Sequence, residues 1–436
     1  MNEINTLLTC LHPLLNATTY RQLQVVSQAL LVMTGRITML GISRWAGKGG
    51  SYRTIQRFFV STIPWDTINW AIARLAIEKA KGIVLIAGDA TTVTKSGKET
   101  HGLGKFFSSI YSRAVPGIAF QHLSLIDVEE RTSWPLLVEQ ILPKPKSEKA
   151  PHPEKKKPKR GRGRPKGSKN KNHRDITLNA EMAQVQTMLK RLLKLTEKSI
   201  DLVYFVYDGA FGNNAAAQMT RQVGLHLISK LRNNSALFFE WEGEYIKKGR
   251  KPIYGAKVDY THLPERYLCS EKDKKEIRTR VYQMPVRHKK FADQINVVII
   301  CKENIKTGKQ AKVILYSTDL ILNWENIIDY YRLRFQIEFN FRDAKQYWGL
   351  EDFMVIKEQS VFNAANLSLF MVGQSQALLA TSTEQSILDL KARHHGLHYA
   401  RELFKMLPEN VKPINIQELM DKFPVLGRIH ENKTAA

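Results

Sequence analysis

The sequence predicts an α/β protein: a mixed sheet with flanking helices, a β-rich insertion, and an N-terminal helical domain of helix-turn-helix type. Three observations predict this. Two apolar runs of strand length, "GIVLIAGDATTV" and "DLVYFVYDGAFGNN", lead into Asp89 and Asp208, and such continuous runs read as buried strands. Residues 233–320 alternate polar and apolar in short stretches such as "TRVYQM" and "AKVILYS", as half-buried strands do. Residues 1–80 and those beyond 351 carry helical periodicity instead.

Size and charge bound the function. A chain of 436 residues with 43% hydrophobic content is too long for one ordinary core, so two or three domains are expected. The net charge of +25 and pI of about 9.8 call for a polyanionic partner, nucleic acid or an acidic membrane surface. No run of 18 apolar residues is present, and Glu3 stands where a secretory signal would be basic. Neither a membrane span nor a signal peptide is therefore expected. Cys10, Cys269 and Cys301 are few and far apart, which argues for a reducing compartment and against a disulfide framework or structural zinc. His394, His395 and His398 lack neighbouring Cys or carboxylates and read as surface residues.

The elements follow in order. Within residues 1–80, "RITMLGISRW", the turn "AGKGG" and "SYRTIQRFF" have the form helix, glycine turn, helix, with Ser51 as N-cap of the second. Tyr52, Arg53, Gln56 and Arg57 give that helix donors for phosphates or base edges, as a recognition helix needs; an ordinary helical hairpin packed on the next domain fits the same pattern. Residues 81–232 hold the two strand-aspartate units, with "GIAFQHLSLIDVEE" and "GLHLISKLR" as further strands and "AEMAQVQTMLKRLLKL" as a helix. Open α/β sheets bind ligands at the carboxyl ends of strands, which makes Asp89 and Asp208 candidates for one site, although either alone suits a turn or cap. Between the two units, residues 143–175 carry 14 Lys and Arg against three acids and almost nothing apolar, so they cannot fold alone. Within them Arg162-Gly163-Arg164-Pro165 resembles the AT-hook, whose arginines lie in narrow minor grooves; a solvated basic linker fits equally. Residues 233–320 form a β-rich stretch, 321–350 a helix, and 351–436 a helical region whose "NLSLFMVGQSQALLA" is apolar enough to pack on the layer before it or on a partner.

The stretch "DYYRLRFQIEFNFRDAKQYWGLEDF" is the most specific. Read as one helix at about 100° per residue, it places Tyr331, Arg334, Glu338 and Lys345 within an arc of about 60°, with Arg342 beside them. Mixed charges on an amphipathic helix suit a solvated face. They also suit a phosphodiester backbone gripped beside a metal-bound carboxylate.

The acids select a chemistry. Three carboxylates holding two Mg2+ ions about 3.5–4 Å apart neutralise the attacking and leaving oxygens of an in-line phosphoryl displacement. Asp, Asp and Glu without His or Cys suit Mg2+ better than zinc, and Mn2+ can substitute.

These residues resemble the bacterial insertion-sequence DDE transposases marked by a Y-x2-R-x3-E-x6-K signature, matched here by Tyr331, Arg334, Glu338 and Lys345. Asp89 in "LIAGDATTV" and Asp208 in "VYDGAFG" suit that group's first two acids, and the similarity runs from roughly Gly82 to Phe353. The resemblance implies an RNase H-like catalytic domain interrupted by the β-rich insertion. It also implies that Asp89, Asp208 and Glu338 are the catalytic and metal-binding acids. Tyr331, Arg334 and Lys345 would grip DNA near the transposon end and help hold a flipped base, with Trp241 or Tyr245 as the stacking ring and a hairpin as intermediate. The implied partners are terminal inverted repeats, target DNA and a second copy of the chain in a synaptic dimer. The implied location is the bacterial cytoplasm at the nucleoid. Two other readings remain. A noncatalytic or domesticated DNA-binding regulator needs none of the three acids, and a stand-alone RNase H-like nuclease needs neither the Tyr-Arg-Lys set nor the N-terminal domain.

Overall fold

The structure is a computed structural model that describes residues 2–108, 111–143, 172–245 and 251–406. The chain divides into two compact units. The first holds residues up to Ile141, then Thr187–Tyr204 and the chain from Arg332 onward; the second holds Leu142–Gln186 and Phe205–Tyr331.

The first unit begins with five helices: α1 (Asn2–Leu8), α2 (Ala17–Val32), α3 (Met39–Trp45), α4 (Tyr52–Val60) and α5 (Trp65–Ile77). Side-chain oxygens of Asn16, Thr38 and Ser51 accept the amides of Thr19, Gly41 and Thr54, which fixes where α2, α3 and α4 start. Strands β1 (Val84–Thr94), β2 (Gly104–Ser108), β3 (Arg113–Asp127) and β4 (Thr132–Ile141) follow. The long β3 is central. It pairs antiparallel with β1 along one edge, from Val84↔Asp127 to Thr94↔Gly117, and shares its other edge between β2 and β4. Its second half is buried throughout, so that even the polar Gln121, His122, Ser124 and Asp127 of "GIAFQHLSLID" lie inside, which a buried central strand allows only where its polar groups are hydrogen-bonded.

Helix α6 (Ala180–Thr196) brings Arg191 to the carboxylates of Asp66 and Glu139 on α5 and β4. In the second unit, β5 (Tyr204–Tyr207), α7 (Asn214–Gln222) and β6 (His226–Leu231) precede β7 (Leu237–Glu240), β8 (Tyr254–Lys257), β9 (Leu268–Lys274), β10 (Ile277–His288), β11 (Ile295–Asn304) and β12 (Gln310–Ser317). Strands β5, β6, β12, β11, β10, β7 and β8 lie side by side in that order, with β9 also on β10. The registers of β6–β12, β12–β11 and β11–β10 are antiparallel. Helices packed with a largely antiparallel sheet make an α/β layer architecture, as the sequence predicts.

The chain returns through α8 (Trp324–Leu333) and α9 (Gln336–Tyr347), and closes with α10 (Glu358–Thr381) and α11 (Ile387–Met406). The single helix expected over 321–350 is two. At Arg334 and Phe335 the backbone bonds shorten to i→i−3, Phe335 N–H to Arg332 O, Ile337 N–H to Arg334 O and Glu338 N–H to Phe335 O, so the α-helical ladder is interrupted without Pro or Gly. Helix α10 is buried along most of its length, from Ser360 to Leu378, as its apolar sequence requires. Among the described residues, no helix is long and apolar enough to cross a membrane.

His394 corrects the surface reading of the histidine cluster. It is buried on α11, and burial pushes its imidazole down to about 3. Its neighbour His395 takes the Val32 carbonyl at the end of α2, and His395 and His398 pack against the Trp45 ring. Among the described residues, His394, His395 and His398 form no metal-binding group.

Candidate active site

Strand β1 carries Asp89 in its middle, not at its end as the apolar run suggests. Residues Val84–Gly88 are buried, Asp89 is partly exposed, and the strand continues to Thr94 with alternating burial. The hydrophobic signal stops where one face opens, while ladder pairing to β3 goes on. Asp89 lies opposite His122 in the register, so their side chains share a face of the sheet. The Asp89 carbonyl accepts from Gln121 Nε2 at 3.0 Å, and its Oδ1 accepts the Ala90 amide at 2.8 Å.

Across that face lies the start of α9. Arg334, in the turn between α8 and α9, donates from Nη1 to Asp89 Oδ2 at 2.7 Å and from Nη2 to Glu338 Oε1 at 3.1 Å. The Arg334 side chain is 13% exposed and that of Glu338 40%. Glu338 occupies the first turn of α9, where the helix dipole favours an anion. Two carboxylates remote in sequence thus converge on one largely buried guanidinium, where charge-assisted hydrogen bonds are strong.

What holds α9 there is also in the sequence. Ile337, Asn340, Phe341 and Ala344 face inward at the i, i+3, i+4, i+7 spacing of a buried stripe. Lys345 donates to the Thr92 carbonyl on β1 at 3.0 Å and pairs with Glu351 at 3.2 Å. Gly349, at φ 78°, ends the helix in a left-handed turn with Leu350 N–H bonded to Ala344 O at 3.0 Å. A Cβ at Gly349 would meet the Ile37 side chain at 2.5 Å. Lys95, just past β1, donates to the Glu351 and Phe353 carbonyls, and burial lowers its amine to about 8.

Asp208 belongs to the second unit. It ends β5 and caps a 3-10 turn, its Oδ1 accepting the Gly209 amide at 2.6 Å, the same local bond that Asp89 makes with Ala90. Its carbonyl accepts Ser229 Oγ from β6 at 3.0 Å. The small residues that follow are required by the approach of β6: a Cβ at Gly212 would lie 2.0 Å from the Lys230 carbonyl. Tyr331 is half-buried on α8, and Trp241 and Tyr245 follow β7, all in the second unit.

Elsewhere in the first unit, Tyr52, Arg53, Gln56 and Arg57 form the exposed face of α4, while Ile55, Phe58 and Phe59 are buried. Arg342 is exposed, pairs with Asp343 at 3.0 Å and lies over the Phe339 ring. Arg162 and Arg164 lie outside the described residues. Sequence pattern did not single out Phe335 and Phe339, whose rings meet edge to face at 5.4 Å beside Glu338 and stay 51% and 36% exposed. Aromatics at helical spacing ordinarily signal core; these two are instead partly exposed.

The donor chemistry fits a hard divalent cation. Asp89 and Glu338 offer oxygen ligands only, brought together by a cation that already compensates their charge.

Residues 10–289 match the family described as DDE superfamily endonuclease. A transposase for insertion sequence element IS231E from Bacillus thuringiensis subsp. finitimus is 28% identical over 160 residues, a match covering 32% of this chain and 33% of that relative.

Proposed function

The chain belongs to the DDE superfamily endonucleases, and from that premise we propose that it is an insertion-sequence transposase of the Y-x2-R-x3-E-x6-K group. It would cut DNA at transposon ends and transfer the freed strands to target DNA by a cut-and-paste route through a hairpin. The observation that carries this reading is the convergence of Asp89 and Glu338 on Arg334, which is 245 positions from Asp89. A merely structural ion pair needs one carboxylate, whereas a phosphoryl-transfer site needs several held close together.

In this reading Asp89, Glu338 and Asp208 are the three acids that hold Mg2+, or Mn2+ in its place. When bound, the metal supplies positive charge to the attacking and leaving oxygens. The protein does the rest by placement. The first helical turn and the Arg334 bonds fix the Glu338 carboxylate, and the Ala90 and Gly209 amides fix one oxygen of each aspartate. Arg334, Lys345, Tyr331 and Arg342 grip the DNA backbone near the scissile bond. Trp241 or Tyr245 stacks on the flipped base, within residues 233–320 read as an insertion. The exposed face of α4, with Tyr52, Arg53 and Arg57, contacts the terminal inverted repeat as a helix-turn-helix would. Arg162 and Arg164 add affinity through the minor groove. Two copies of the chain pair the ends in a synaptic dimer, in the bacterial cytoplasm at the nucleoid.

Purified protein incubated with duplexes from the DNA flanking its gene tests the proposal. Cleavage at one boundary in Mg2+ and none with chelator is expected. Tight binding without cleavage in Mg2+ or Mn2+ would instead favour a DNA-binding regulator descended from a transposase.

A further inference from the structure

We propose that Asn340 is a positioning residue for Glu338: it locks α9 to two sheet strands so that Glu338 and Arg334 stay presented to Asp89. The inference rests on reading Asp89 and Glu338 as catalytic acids.

Asn340 is 1% exposed in the middle of the apolar face of α9. An apolar side chain would pack there at no polar cost, whereas a buried amide is tolerated only when hydrogen-bonded. Its Nδ2 donates to Ser124 Oγ on β3 at 3.1 Å and to Ser133 Oγ on β4 at 2.8 Å. Ser124 and Ser133 lie on strands paired through Ile126↔Ser133, so one amide grips two neighbouring strands. Ser124 Oγ is also hydrogen-bonded to His122 Nε2 at 2.7 Å, and the buried His122 ring meets Phe341 of α9 edge-on at 5.4 Å. His122 is the register partner of Asp89. A continuous buried path therefore runs from the Asp89 position to α9.

Apolar packing alone lets a helix shift on a sheet at little cost, because it is non-directional. A slip of one residue moves a helical side chain by about 1.5 Å along the axis and about 100° around it, and misplacement near 1 Å can cost on the order of 100-fold in rate. Two directed bonds from one buried amide remove both freedoms.

The test uses the full-length Ser133→Ala/Asn340→Leu variant. It removes the amide and one serine together and leaves Ser124 bonded to His122; the half-buried Gln376 Nε2, which donates to Asn340 Oδ1 at 3.5 Å, loses that long bond. Binding to the end duplex within about twofold of wild type, an unfolding midpoint close to wild type, and a single-turnover cleavage rate lower by roughly 10- to 100-fold are expected. A higher Mg2+ concentration for half-maximal cleavage is expected as well, which a purely packing role would not produce. Ser133→Ala alone, which keeps the Ser124 bond, should show a smaller loss in the same direction and serves if the double variant does not fold. Unchanged cleavage by a folded variant overturns the inference, as does an equal fall in rate, binding and midpoint. A wild-type protein that cuts nothing in Mg2+ overturns the reading of the acids, and the positioning role with it.

Discussion

The Arg334 guanidinium reaches Asp89, its Nη1 2.7 Å from the carboxylate Oδ2, and its other terminal nitrogen holds Glu338. One cation thus occupies the charge-balancing role between two acids that are read as metal ligands. Replacing Arg334 by Ala leaves the two carboxylates facing each other with no bridging cation. In metal-free buffer the variant is expected to be less stable by roughly 1–3 kcal/mol. Mg2+ should recover more of that loss than it adds to wild type, because a ligand bound by the folded state alone stabilises it. Thermal unfolding with chelator and with Mg2+ measures both; equal midpoints for variant and wild type in both buffers would remove Arg334 from this role. Arg334→Lys should behave like the alanine variant, since a point charge cannot bridge two carboxylates as a planar fork does.

The face of α4 gives a second expectation. Tyr52, Arg53 and Arg57 are exposed on a helix whose Ile55, Phe58 and Phe59 are core. Arg53→Ala/Arg57→Ala should leave the unfolding midpoint within about 0.5 kcal/mol of wild type and weaken binding to the end duplex at least tenfold. Unchanged affinity in an electrophoretic shift assay would make this pair of helices a packing hairpin.

Residues 144–171, which hold most of the basic segment, are expected to add electrostatic affinity. Their deletion should spare Arg174, which pairs with Asp293 at 2.7 Å, and His173, whose carbonyl accepts from Asn214. The plot of log affinity against log salt should flatten, by about 0.9 for each phosphate that the shortened chain no longer neutralises. An unchanged slope would mean that the segment does not touch DNA.

Acid should unfold the protein through its buried histidines. Burial holds His394 and His122 at about 3, below the ordinary value of about 6.5. Between those limits the unfolded chain binds protons that the folded chain excludes, so stability falls as pH drops from about 6.5 toward 3, by about 1.4 kcal/mol per pH unit for each histidine. His394→Leu should flatten the slope by one proton in urea titrations across that range. A slope identical to wild type would show that His394 becomes protonated without unfolding.

Much of this arrangement was legible in the sequence. The apolar runs before Asp89 and Asp208, the Ser51 cap and the apolar α10 segment each follow from local pattern, because strand burial, capping and helical periodicity are written in neighbouring residues. The continuation of β1 past Asp89 was not, since ladder pairing to β3 carries it after the apolar run stops. Nor was the break between α8 and α9 at Arg334, which no Pro or Gly marks. The Asn340, Ser124 and Ser133 network joins positions far apart in the chain, so no window of sequence displays it. His394 read as a surface residue because what buries it comes from helices remote in sequence.

The most direct test compares wild type with Asp89→Asn, Asp208→Asn and Glu338→Gln on one end-labelled duplex, following binding and Mg2+-dependent cleavage in parallel on native and denaturing gels. Each variant is expected to bind within a few-fold of wild type and to lose cleavage by at least about 1,000-fold, while wild type yields a nick and then a hairpin of roughly doubled length. Cleavage that survives in any one variant, or binding that falls as far as cleavage, would contradict a shared catalytic role for the three acids.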